Sequence, residues 1–413
     1  MSSPRPVWRG LSRLPLLAIL LPGGLGASPR SGDVFREYTW KPSGVYHVLT
    51  QKQSPVGLGS DIDLDRATRA EAVLEIGNAH LGFADFHIRL NGGEWRRISF
   101  PERGPRQPSP SRWFFQWQPE VPLPLAELKA GGSNHFELRV APRTYEGTVP
   151  HPAYTCVYSI TFRVYYDPAK KRHTTGKVIS PAPGSKLGDT VQLIAAGAGK
   201  VEKIDFIGHY EDINYEGDGI YEQWHYAFEA GRLSGHLGSI ESFGKPLVWD
   251  TTWTPDQENP IQLAARITDD QGITYLTQPV GKLALSRTET TVELARPYDV
   301  PMSFTSCQYG AYVPPGVRTE KFVVKGDPTK IVAARFAMSA WNAPSHHGFT
   351  VNGQPLEEVR LEGYAGNHHL FVVPLHPVAA LKAGENTFAT IPGRGRSSDI
   401  HWPGVAILIK YRK

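Results

Sequence analysis

The sequence predicts a nearly all-β protein. Three observations lead there. The 413 residues include 41 glycines and 35 prolines, more than a helical protein tolerates. Short runs of alternating apolar and polar residues are punctuated by turn residues. One stretch of sequence is also written twice, far apart. The chain is long enough for two or three cores of ordinary domain size. Stretches with a 3.6-residue period are short, Pro124 to Lys129 being the clearest.

The doubled stretch is Leu128-Lys129-Ala130-Gly131-Gly132-Ser133-Asn134-His135-Phe136 and Leu381-Lys382-Ala383-Gly384-Glu385-Asn386-Thr387-Phe388. Each copy lies downstream of an Asn-Gly pair, Asn91-Gly92 and Asn352-Gly353. Each Asn-Gly follows a run of alanine and apolar residues, Ala67 to Ile76 and Ile331 to Trp341. Glycine permits a positive-φ turn, and an asparagine side chain can cap that turn as the chain enters a strand. A repeat this widely spaced fits duplicated domains; a solenoid would repeat at a much shorter period.

The first residues read as an export signal over residues 1–27. Arg5, Arg9 and Arg13 form its basic region, Leu14 to Leu21 its apolar run, and Gly23 to Ala27 a small-residue exit. That run is too short to span a bilayer, so no membrane span is expected in the mature chain. The expected location is secreted, periplasmic or at the cell surface. The formal charge of +4 includes the signal's three arginines, and the segment holds no acid, so the mature chain carries +1. That balance argues against nucleic acid as a partner and does not favour anionic glycans. Cys156 and Cys307 are too few for a disulfide scaffold. They read as buried small apolar residues or as one bridge between flanking blocks.

Three blocks follow the signal. The first, 34–168, holds alternating strands such as Phe86 to Leu90 and His135 to Val140, and closes on Tyr158 to Tyr166. The second, 178–286, opens at Ile179-Ser180-Pro181-Ala182-Pro183-Gly184. It has about seven short strands, including Thr190 to Ala195, Val201 to Tyr210, Ile220 to Phe228, Ile261 to Ile267 and Ile273 to Thr277, which fits an immunoglobulin-like sandwich. The third, 288–413, carries the second copy of the repeat and ends on Val405 to Tyr411.

An Asn-Gly turn followed by Leu-Lys-x-Gly-x-Asn-x-apolar resembles the galactose-binding-like jelly roll. The resemblance covers the first and third blocks. It implies an all-β chain of three β-sandwich domains: jelly roll, immunoglobulin-like, jelly roll. Such jelly rolls accompany glycosidase catalytic domains and serve as carbohydrate-binding modules. The whole arrangement also resembles exported bacterial multi-domain β-sandwich proteins, which implies architecture and no activity.

The densest polar stretch runs from Gly208 to Tyr226. Alternation with Ile204 and Phe206 turns Tyr210 inward and His209 outward. Trp224 and Phe228 fit the inner face, leaving Tyr221, Gln223 and His225 outward. A hairpin symmetric about Gly217 sets His209 opposite His225, about 5 Å away, as an acid/base or metal-binding pair. Tyr210, Tyr221 and Glu222 would assist if the protein is an enzyme. Within the same loop Asp212, Asn214, Glu216 and Asp218 alternate like half of a calcium loop, suiting a structural calcium or an Asx-rich turn. No cofactor is required by either reading.

Aromatic residues carry the binding expectation. Trp113, Phe115 and Trp117 share one face of a strand, beside Arg112 and Gln116, and flat rings stack on sugars. Trp95, Trp341 and Trp402 are similar candidates, and His346, His347, His368, His369 and His401 crowd the third block. Asp250 and Asp256 could form a glycosidase-like carboxylate pair, although a structural corner suits them better. No nucleophile elbow, phosphate loop, dinucleotide fingerprint or zincin helix occurs. The expected function is an exported, non-catalytic carbohydrate-binding protein that recognises a polysaccharide or other glycan through aromatic surfaces. The alternatives are a polysaccharide hydrolase or lyase using the His209/His225 hairpin, and a structural or adhesive cell-surface protein.

Overall fold

A computed structural model describes residues 29–44, 46–49, 54–59, 61–78, 86–98, 116–140, 154–214, 219–300, 304–305, 318–341, 348–357, 368–390, 399–401 and 403–413. Among them every regular element is a β-strand or a 3-10 turn, and strand pairing is almost wholly antiparallel. The expected all-β class of stacked sheets is what forms. The one helical expectation, Pro124 to Lys129, becomes a 3-10 turn over Leu125–Glu127.

Residues 34–166 build a first two-sheet sandwich. One sheet is centred on Val34–Trp40, Tyr154–Tyr166 and Ala67–Asn78; the facing sheet is Val56–Gly57, His135–Val140, Phe86–Leu90 and Arg96–Ile98. Two-residue alternation fixes the faces: Ala70, Ala72, Leu74 and Ile76 point into the core against Phe136 and Leu138. Residues 290–412 repeat the plan. Thr290–Ala295, Ala406–Arg412 and Ile331–Trp341 face Arg318–Val324, Gly384–Thr390, Phe349–Val351 and Gln354–Pro355. Here Ala334, Phe336, Met338 and Ala340 fill the core positions.

The duplicated motif does the same job in both sandwiches. Asn91 (φ 47°) and Gly92 (φ 75°) make one tight turn, and Asn352 (φ 52°) and Gly353 (φ 78°) the other. Asn91 Nδ2 donates to the Glu127 carbonyl (2.6 Å) and to Asn134 Oδ1 (2.9 Å), while its Oδ1 accepts from His135 N (2.9 Å). Asn352 Nδ2 donates to the Ala380 carbonyl (2.8 Å) and to Asn386 Oδ1 (2.7 Å), and its Oδ1 accepts from Thr387 N (3.1 Å). The second asparagine closes the opposite loop: Asn134 bridges both backbone groups of Lys129, and Asn386 both of Lys382. Each pair of asparagines thereby partners at least four backbone groups of the two loops it joins. The first copy is one residue longer, and Ser133 takes a left-handed φ of 68° to absorb it.

Between the twins, residues 175–285 form a third core around Leu193, Phe206, Trp249, Leu263 and Ile267. This middle sandwich is not hung on a linker. Ile273–Leu276 pairs both with Ile261–Thr268 and with Val34–Trp40, so one sheet runs from the first sandwich into the middle one. The middle sandwich also covers the outer sheet face of each twin, through buried charge on one side and apolar packing on the other.

Candidate functional site

The hairpin singled out from the sequence consists of Lys203–Glu211 and Glu222–His225. Its register corrects the expected geometry. His209 pairs with Trp224, and His225 pairs with Gly208. The pairing of Glu211 with Glu222 puts the hairpin axis just before Gly217 rather than on it. A slip of one residue sends a side chain to the opposite face of a sheet, so the two imidazoles do not meet.

His225, expected to point outward, is 0 % exposed. It lies in the middle core with Nε2 2.7 Å from the Tyr210 carbonyl oxygen and its ring edge-on to Tyr210 at 4.7 Å. Gly208 makes this packing possible: a Cβ there would sit 2.5 Å from the Tyr210 ring. Tyr210 is inward as expected, against Trp249. His209 is half-buried on the other face, 5.5 Å from the Trp224 ring, and burial pushes its pKa down. Tyr221, also expected outward, is buried among Val292, Leu294, Ala337 and Leu408, and burial raises its phenol pKa well above the usual value. Glu222 is half-buried and accepts from Asn259 Nδ2 at 2.8 Å. The five residues offered as a catalytic set thus occupy two faces and two cores.

The calcium candidates are likewise committed to the loop. Asn214 Oδ1 accepts from Gly219 N (2.9 Å), and its Nδ2 donates to the Ile220 carbonyl (2.8 Å). Asp212 Oδ1 accepts from Ile213 N at 2.8 Å. That is the pattern of an Asx-closed turn. Glu216 and Asp218 lie outside the described residues. Among the described residues no three His, Cys, Asp or Glu side chains gather as metal ligands would.

Beside the hairpin, between the middle and third sandwiches, opens a cleft of about 740 Å³ lined by Glu211, Glu222, Gln257, Asn259, Lys325 and Lys413 among others. Its carboxylates are largely spoken for. Glu211 pairs with Arg296 (2.8 Å) and Asp256 with Arg287 (2.6 Å), while Glu293 accepts from the Tyr411 hydroxyl (2.6 Å) and Lys325 N (2.8 Å). Asp250 caps its own turn by accepting from Thr252 N. Asp250 and Asp256 therefore serve as corner residues. The cleft offers donors and acceptors to a polar ligand.

Of the aromatic candidates, Arg112, Trp113, Phe115 and Trp402 lie outside the described residues. Trp117 stands on a short strand paired with Ile76, near the end of Ala67–Asn78. Trp341 is the last residue of the equivalent strand, Ile331–Trp341, and pairs with His368 and Asp399. Two tryptophans therefore mark matching sheet ends of the twins. His401 is buried, its Nδ1 3.1 Å from Ser339 Oγ, and burial pushes its pKa down to about 3. Cys156 is buried, which raises its thiol pKa to about 12; Cys307 lies outside the described residues.

Sequence reasoning missed a buried charged cluster on the outer face of the first sandwich. Arg163, 0 % exposed, donates from Nε to Glu37 (2.9 Å) and from Nη1 to Glu71; Arg266 of the middle sandwich donates to the second oxygen of Glu37 (2.6 Å). Burial works to raise the pKa of Glu37, but Arg266 and Arg163 outweigh it and hold the carboxyl below its usual range. Glu75 has no such cation. It accepts from Ser159 Oγ (2.7 Å) and from Ala230 N (3.0 Å) at the tip of the middle sandwich's hairpin, and burial raises its pKa to about 7. Gln118 grips the same hairpin through both backbone groups of Phe228. The available signal was phase: Glu71 and Glu75 alternate with the core run Ala70 to Ile76 and so share its reverse face.

No family model matches the chain, and neither does any curated protein. Among solved structures it is similar to BuGH86 crystallised with neoagarooctaose (13 % identity over 56 % of this chain and 34 % of that one, TM-score 0.23). It is similar also to a β-porphyranase of glycoside hydrolase family 86 from Bacteroides plebeius (10 %, 57 % and 38 %, TM-score 0.22). A third is an α-L-rhamnosidase from Aspergillus terreus (14 %, 57 % and 27 %, TM-score 0.17). The chain spans about a third of the length of these structures. At such low TM-scores the likeness carries no assignment of function.

Proposed function

We propose that this protein is an exported, non-catalytic carbohydrate-binding protein that engages a polysaccharide through its two galactose-binding-like sandwiches. The observation that carries this reading is the placement of Trp117 and Trp341 at corresponding sheet ends of two sandwiches closed by the same asparagine clasp. An aromatic ring gives a sugar an apolar platform, and two weak sites on one chain gain strength on a repeating glycan. The hairpin supports the non-catalytic half of the reading, since His209 and His225 occupy opposite faces and cannot share a proton or an ion. A panel of immobilised polysaccharides, scored for both retention and turnover, tests it. Retention without new reducing ends or unsaturated uronates is expected, and weaker retention in Trp117→Ala and Trp341→Ala. Release of either product, or no retention on any polysaccharide, would overturn the proposal.

A further inference from the structure

The cleft between the middle and third sandwiches has walls of opposite charge. The middle sandwich lines it with Glu211, Glu222, Asp256 and Glu258, and the third sandwich with Lys325, Lys330 and Arg412. The third wall also holds two acids, Glu293 and Asp327, and both are used within that wall. Glu293 accepts from Lys325 N (2.8 Å), Gly326 N (3.1 Å) and the Tyr411 hydroxyl (2.6 Å). Asp327 accepts from Thr329 N (2.9 Å), with Lys330 nearby. The walls meet where Arg296 pairs with Glu211 (2.8 Å). They meet again where Asp256 accepts from Val292 N (2.7 Å) and donates its own N–H to the Val292 carbonyl (2.9 Å). Arg287, on the connection between the two sandwiches, takes Asp256 as well (2.6 Å).

Three charges remain in the cleft after those contacts. Glu258, Lys325 and Arg412 are exposed, and none of their side chains forms an ion pair or hydrogen bond among the described residues. Glu222, on the acidic wall, is met by a neutral amide, that of Asn259 (2.8 Å). The cleft's volume of about 740 Å³ is that of an ordinary ligand cleft. An acidic wall facing a basic one is complementary to a ligand that carries both signs. A neutral ligand would leave these charges to water, and a ligand of one sign would be drawn to one wall and repelled by the other.

We infer that this cleft binds a zwitterionic saccharide, one bearing amino and carboxylate groups together, with its carboxylate on Lys325 and Arg412 and its ammonium on Glu258. This inference rests on the carbohydrate reading above and names a ligand class. The Arg412 guanidinium presents a fork of donors that suits a carboxylate, and Lys325 adds a second positive charge. The test is titration calorimetry, in mildly acidic buffer where sugar amines are charged, with four soluble oligomers. These are carboxymethyl chitosan (both signs), chitosan (ammonium only), alginate (carboxylate only) and dextran (neither). Wild type should bind carboxymethyl chitosan about tenfold tighter than the other three, and added salt should erase that margin. Lys325→Ala/Arg412→Ala should lose about tenfold in affinity for it and Glu258→Gln about threefold, while both variants melt like wild type. Equal affinity for mixed and single-sign oligomers, or variants that bind like wild type, would overturn the inference. In that event the broader carbohydrate reading stands if any of the four oligomers is bound, and falls with it if none is.

Discussion

The first and third sandwiches share a strand order, a core pattern and an asparagine clasp, yet they meet the middle sandwich by opposite chemistry. At equivalent register positions the first presents Glu37, Arg163 and Glu71 across three strands, and the third presents Leu294, Leu408 and Arg335. On the first side the middle sandwich answers with Arg266 and the Ala230 hairpin tip. On the third it answers with Ile213, Tyr221 and the Trp253 ring, whose centroid is 4.0 Å from the Arg335 guanidinium and 4.2 Å from the Lys410 ammonium. A duplicated fold therefore fixes the inward phase of its strands and leaves the outward phase free to become an ionic seam or an apolar seam.

The largest expected effect falls on the ionic seam. Arg163→Ala strips Glu71 of its nearest cation and leaves Glu37 with Arg266 alone, and should cost about 3–5 kcal/mol. Leu408→Ala on the apolar seam should cost about 2–5 kcal/mol through lost burial and a cavity. Chemical denaturation of both variants sharpens the contrast when repeated in acid: against burial, Arg266 and Arg163 hold the Glu37 carboxyl low, so the gap between wild type and variant should narrow at Arg163 only as that carboxylate protonates. A gap at Arg163 that does not change with pH would mean the seam is held by shape rather than by charge.

Asn134→Ala and Asn386→Ala should each cost about 1–3 kcal/mol, and by similar amounts, because each strands the same set of backbone groups. Clearly unequal losses, measured as melting shifts, would break the equivalence of the two clasps.

A smaller effect comes from pH. Glu75 has a folded-state pKa of about 7 against an ordinary 4.5, so its contribution is fully present below about pH 4.5 and is lost as pH rises through 7. A shift of that size corresponds to at most about 3 kcal/mol. Its neighbours on the facing elements are Ser159, Glu229 and the hairpin amides, none of them a cation. Glu75→Gln removes the titration. The stability of wild type relative to this variant should therefore fall between pH 4.5 and 7. A difference constant over that range would contradict the account.

The clasps were legible in the sequence because their chemistry is local. Asn-Gly dictates a turn, and the Leu-Lys-x-Gly motif with its asparagine dictates how the next strand is entered. The core phase of Ala67 to Ile76 was legible for the same reason. The His209/His225 hairpin was not, since its register depends on how the loop around Gly217 closes, and Asn214 settles that by bonding Gly219 and Ile220. The buried cluster was not legible either. Its members Glu37, Arg163 and Arg266 come together only once a sheet edge of one sandwich has joined another. Trp117 and Trp341 could be chosen as aromatic candidates from composition, but their placement at the same end of equivalent sheets, on neighbouring strands, emerges only from the strand pairing.

Affinity for a retained polysaccharide, measured by titration calorimetry for wild type, Trp117→Ala, Trp341→Ala and the double variant, tests the two-site reading most directly. If both sandwiches engage one glycan chain, either single variant loses the avidity gain, on the order of a hundredfold, and the double variant loses binding almost entirely. Affinities that stay level across all four proteins would contradict it.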